Sequence, residues 1–71
     1  MDTKKMSERL RAYLKESGMT QAQLARKIGI SPSAVSRIFS GKLIPSLGVF
    51  LKMQDIFGFR SDYIVGRTDE K

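Results

Sequence analysis

Apolar residues recur every three to four positions in successive short stretches of the chain, and Gly, Ser and Pro separate those stretches. That period marks amphipathic helices, and no run shows the strict alternation of a half-buried strand. Met6, Leu10, Tyr13 and Leu14 share one face of a helix predicted from about Lys5 to Glu16, with Gly18 as its stop. A second helix is predicted after Thr20, an N-cap with Gln23 three residues on as in a capping box. Leu24, Ala25 and Ile28 face inward there, and Gly29 ends it. The third opens with Ser31 as N-cap and Pro32 at the first helical position, where a missing N–H costs nothing. Val35 and Ile38 are its inward residues, and Gly41 closes it. The fourth starts at about Ser46. Leu47, Phe50, Leu51 and Phe57 make one stripe on it, and Val49, Met53 and Ile56 make a second. A helix apolar on most sides is central to a core or serves an interface as well. A short fifth helix, about Ser61 to Val65, supplies Tyr63, Ile64 and Val65. The expected fold is all-α, five short helices. No repeat, low-complexity tract or linker divides it, so residues 1–71 are read as one domain.

The stretch from about Thr20 to Ser40 carries the most restrictive spacing. Two helices that cross steeply over a short turn need a small side chain at the crossing, which Ala25 supplies. Their turn needs a residue that tolerates positive φ, which Gly29 supplies. Leu24, Ile28, Ile30, Val35 and Ile38 are the apolar positions that pin both helices to the remaining core. Seven restricted positions in one short stretch together specify a helix-turn-helix.

Charge sharpens that reading. The net charge is +6, and all seven acids lie in two terminal groups: Asp2, Glu8 and Glu16, then Asp55, Asp62, Asp69 and Glu70. Ser17 to Gln54 holds no acid, yet it carries Arg26, Lys27, Arg37, Lys42 and Lys52. A central segment of one sign is a candidate footprint for a polyanion, and the competing reading is a basic, solvated surface. There is no Cys and no His, which excludes disulfides and ordinary zinc sites, and no cofactor is expected. With no Gly-rich phosphate loop and no carboxylates paired for acid–base work, an enzyme is not expected. The longest uncharged runs, such as Leu43 to Leu51, hold 9 residues, against about 20 for a membrane-spanning helix. The N-terminus lacks the apolar stretch of a secretory signal. A cytoplasmic, complete protein is the expectation, without membrane partners or a small-molecule ligand.

The residues quoted above also resemble a family. Thr20-Gln21-Ala22-Gln23-Leu24-Ala25 is similar to the second helix of Cro/C1-type (XRE) helix-turn-helix domains of phage repressors and bacterial regulators. Gly41-Lys42 with Pro45-Ser46-Leu47 resembles their loop, and Asp62-Tyr63-Ile64-Val65-Gly66-Arg67-Thr68-Asp69 their last helix and exit. The resemblance implies a lambda-repressor-like fold that binds double-stranded DNA sequence-specifically, usually as a dimer, with the third helix (about 32–40) in the major groove. Three positions depart from the family pattern. Gln54 stands on the inward stripe of the fourth helix where a small residue is usual, Ile56 is bulkier than the norm, and Pro32 lacks the donor with which many relatives contact a base.

Within that frame Arg37 is the candidate base reader, outward on the third helix, because Arg bonds two acceptors of guanine at once. A phosphate clamp and a solvated charge are the alternatives. Ser33 and Ser36 share its face and are further candidate base contacts. Gln21, in the first turn of the second helix, Ser31, the N-cap of the third, and Lys42, just after it, are candidate phosphate contacts. Lys42 also suits a helix dipole, as do Arg26 and Lys27. Leu43 and Ile44 form an apolar pair in a loop beside the expected DNA face, and Phe59 is a large apolar residue in a later loop. These three are the expected dimer seam, and core packing is their alternative. The second stripe of the fourth helix, Val49, Met53 and Ile56, is the next candidate. The expected function is transcriptional regulation, most simply repression. The competing function is a protein-interaction module of antitoxin or bridging type, which the surplus apolar surface of the fourth helix would serve.

Overall fold

A computed structural model describes residues 2–71, and every regular element among them is helical. The order is α1 (Thr3–Ser17), α2 (Gln21–Ile28), α3 (Pro32–Phe39), α4 (Leu47–Phe57) and α5 (Ser61–Ile64). No helix among the described residues is long and apolar enough to cross a membrane.

The caps set most boundaries where the local chemistry calls for them. Thr20 and Gln23 form a reciprocal capping box: Gln23 N–H donates to Thr20 Oγ1 at 3.1 Å and Thr20 N–H to Gln23 Oε1 at 2.9 Å. Ser31 and Ser46 accept from Ala34 N–H (3.1 Å) and Val49 N–H (3.3 Å) at the starts of α3 and α4. The first helix begins earlier than the apolar pattern suggests. Asp2 is its N-cap and accepts the Lys5 N–H at 3.0 Å, which adds a polar first turn before Met6. That hydrogen bond holds the Asp2 carboxyl below the usual carboxylate range. The close of α3 also differs. Ser40 is its C-cap, and Gly41 lies one residue beyond at φ 80°, where Lys42 N–H and Leu43 N–H turn back to the Arg37 carbonyl.

The core draws on every helix. Met6, Leu10 and Leu14 of α1 meet Leu24, Ala25 and Ile28 of α2, Val35, Ile38 and Phe39 of α3, Met53 of α4 and Ile64 of α5. The Ala25 methyl is buried where α2 packs on α3, the close crossing its size permits. Basic side chains close helix ends from outside. Arg11 of α1 donates to the Phe39 carbonyl at the end of α3, and Lys52 of α4 donates to the Ile28 carbonyl at the end of α2 (3.1 Å). Each puts a cation on a negative helix terminus.

The C-terminal segment is held against α1. Arg9 lies across the Tyr63 ring, 4.1 Å from its centroid, and donates to the carbonyls of Tyr63 and Thr68 and to the Asp69 carboxylate (2.7 Å). Arg9, with Lys5 nearby, holds the Asp69 carboxyl below the usual carboxylate range. Gly66 is required here. It sits at φ 82°, and a Cβ on it would come within 3.1 Å of the Asp2 Cβ and 3.2 Å of the Lys5 Cδ.

Candidate nucleic-acid interface

The two helices of the motif, α2 and α3, meet over a three-residue turn, Gly29-Ile30-Ser31. Gly29 takes the left-handed conformation at φ 87°, and its N–H and that of Ile30 both donate to the Ala25 carbonyl (2.8 and 3.1 Å). This compact turn orients α3 across α2. Val35, Ile38 and Phe39 are buried, which fixes α3 in rotation about its own axis. The opposite face is thereby set: Ser33, Ser36 and Arg37 are exposed along it. These three candidate base readers share one surface, with side chains of the lengths and donors that base edges accept.

The candidate phosphate contacts surround that surface. Gln21 is half-buried in the first turn of α2, and its amide is not consumed by the capping box, which uses Gln23. Ser31 is exposed but already accepts the Ala34 N–H, so one of its lone pairs is committed to capping. Lys42 is exposed just beyond α3. Among the described residues, ion pairs join Lys5, Arg9 and Arg67 to Asp69 and Asp62, and none takes up Arg26, Lys27, Arg37 or Lys42. Four exposed cations without acid partners therefore lie on or beside α2 and α3. Lys52, the fifth basic residue of the acid-free segment, is instead committed to the end of α2.

The expected dimer seam is only partly accessible. Ile44 is exposed, and Leu43 is half-buried against the core. Phe59 is a correction: it is 3% exposed and belongs to the core. Its ring packs on Phe50 (5.3 Å between centroids) and Tyr13 (5.9 Å). The physical reason is the turn after α4. Gly58 takes a left-handed conformation, and Gln54 Nε2 donates to the Phe59 carbonyl (3.1 Å) and to Ser61 Oγ (2.9 Å), drawing the ring inward. Gln54 thus has a structural role at the site where the family pattern has a small residue. The second stripe of α4 does not replace Phe59, because Met53 is buried and Val49 and Ile56 pack on the core. The large apolar residues exposed among the described residues are Leu47 (73%), Ile44 (54%) and Leu51 (47%). Leu47 and Leu51 are one turn apart on α4, and a recess of about 260 Å³ lies beside Ile44 and Leu47, floored by Met6 and Phe50. The period of α4 held this signal, but two apolar stripes of nearly equal strength hid which side faces out.

The helix-turn-helix family profile matches residues 10–64. Over 39 residues, 55% of this chain, the sequence is 51% identical to an HTH-type transcriptional regulator for the conjugative element SXT of Vibrio cholerae, covering 18% of that protein. It is 37% identical over 93% of its length to the cryptic phage CTXphi transcriptional repressor RstR of Vibrio cholerae, covering 61% of it. It is 33% identical over 92% of its length to an HTH-type transcriptional regulator of Methanocaldococcus jannaschii, covering 100% of it. The chain spans only 16% of the repressor protein C of Rhizobium phage 16-3 and 18% of the conjugative-element regulators. No solved structure gives a significant match. With its motif geometry and a match over most of its length, this chain belongs to the helix-turn-helix family of Cro/C1 (XRE) type.

Proposed function

We propose that the protein binds double-stranded DNA sequence-specifically and acts as a transcriptional repressor, with α3 in the major groove. One observation carries the reading. The face of α3 opposite Val35, Ile38 and Phe39 presents Ser33, Ser36 and Arg37 to solvent, inside a segment without acids. In this reading Arg37 bonds a guanine, Ser33 and Ser36 touch neighbouring bases, and Gln21, Ser31 and Lys42 hold phosphates. Two of the relatives carry the word repressor in their names, which supports repression over activation. A small domain on a promoter represses by occupying it.

One α3 reads only a few base pairs, too few to select a site in a genome, so the proposal includes a homodimer on DNA. Its seam is Ile44 with Leu47 and Leu51 and the edge of Leu43, while Phe59 supports that surface from inside the core. The exposed Leu47 and Leu51 also suit the second reading, a module that docks a different protein. Selection of bound sites from random duplex DNA tests the first reading. The expected result is a pair of related half-sites with centres about 34 Å apart, one helical turn. Absence of enrichment, with no fall in random-duplex binding between low and high salt, would favour the protein-docking reading.

A further inference from the structure

A recess between the two helices of the motif has no part in the contacts above. Ala22, Ala25 and Arg26 of α2, Ile30 of the turn and Pro32 of α3 line a hollow of about 230 Å³. Four of these five side chains are hydrocarbon, and the fifth, Arg26, is exposed without an acid partner among the described residues. Pro32 is exposed at the first position of α3. It has no backbone N–H and no polar side-chain atom, so it offers no hydrogen bond to a base edge. Yet it stands where a helix-turn-helix reads bases, at the N-terminal end of its second helix. It also precedes Ser33 directly and lies one turn before Ser36, so the recess borders the polar face of α3 at Pro32.

The major groove narrows what such a surface selects. Its base edges are hydrogen-bond donors and acceptors with one apolar exception, the 5-methyl group of thymine. A hydrocarbon wall at a base-reading position leaves the polar edge of any other base unsatisfied and removes that methyl from water. We propose that this recess receives the 5-methyl group of a thymine, with Pro32 and Ile30 as its walls and Arg26 on the adjacent phosphate. Pro32 is then a specificity-determining residue, and the position that lost a donor gained a different selectivity. The proposal rests on the DNA-binding reading above.

The test uses the wild-type chain and its selected operator. Each thymine is replaced in turn by deoxyuridine, which removes the methyl and leaves the hydrogen-bonding edge intact. Affinity is read by fluorescence anisotropy. The expected result is one position per half-site at which Kd rises about fourfold, the worth of one buried methyl at about 0.8 kcal/mol. In the Pro32→Ser protein that position should tolerate deoxyuridine with no further loss. If no deoxyuridine weakens binding, or if the loss persists in Pro32→Ser, the recess does not read a thymine. A gain confined to operators in which a cytosine is 5-methylated would assign the recess to methylcytosine and overturn the proposal as stated. A chain that binds no duplex with sequence preference fails the broader reading first, an outcome distinct from specific binding without methyl sensitivity.

Discussion

Helices α3 and α4 both start at a capping Ser but distribute their apolar surface in opposite ways. In α3, eight residues bury three large side chains and leave a polar, basic face outside. In α4, eleven residues include seven large apolar side chains, yet only Met53 is fully buried. Val49, Phe50, Ile56 and Phe57 are half-buried on the core, and Leu47 and Leu51 stand out from it. The difference is one of position. Helix α3 is wedged against α1 and α2, so its core-facing side is enclosed and its free side is chemically distinct. Helix α4 packs on α1 and α2 over the outside of the same core, and its apolar surface exceeds what they cover. A helix with one clean polar face suits a polyanion, and a helix with surplus apolar surface suits a protein partner.

Substitutions that cross the two faces should break this comparison most sharply. Phe39 is fully enclosed at the end of α3, so Phe39→Ala should cost about 3–5 kcal/mol in urea denaturation. That is a large share of the stability of a domain this size. Leu47→Ala, at an exposed position on α4, should change stability by no more than about 0.5 kcal/mol. Equal losses at the two positions would mean that α4 is as enclosed as α3.

The next effect sharpens what the surplus on α4 is for. A Leu47→Asp, Leu51→Asp double variant should keep its helicity and bind a single half-site as the wild type does. It should bind the two-half-site operator roughly tenfold more weakly, about 1.4 kcal/mol. Unchanged binding to the full operator would place the dimer seam elsewhere.

The helix-turn-helix was legible because its constraints are local. Thr20 and Gln23 cap each other three residues apart, Gly29 must turn, and the rotation of α3 follows from Val35 and Ile38 alone. The outward positions of Ser33, Ser36 and Arg37 came with that rotation. What was not legible depends on contacts distant in sequence. Phe39 is absent from the inward residues predicted for the third helix, although it stands one turn after Val35, and the structure buries it in the core. Phe59 reads as a loop residue, and its burial requires the Gln54 side chain and the rings of Phe50 and Tyr13. Local spacing gives no partner for Arg9 or Arg11, and Lys52 reads as part of the basic stretch, yet each donates to a carbonyl 24 or more residues away. Two apolar stripes on α4 left its outward side undetermined until the core was assembled.

The smallest effects concern the rim of the α3 face. Lys42→Ala should weaken binding to specific and random duplexes alike and reduce the magnitude of the log K against log salt slope by about one. Gln21→Ala, which removes a neutral donor, should weaken both duplexes alike and leave the slope unchanged. An unaltered slope for Lys42→Ala would remove that residue from the DNA contacts.

If the free face of α3 reads bases, its one arginine should carry the preference at a single base pair. Arg37→Ala, titrated against the selected operator and every single-base variant of it, tests this most directly. The expected result is a loss of about 1–3 kcal/mol on the operator, with preference flattened at one base pair per half-site and kept at the others. An equal loss on every sequence, or no loss at all, would contradict it.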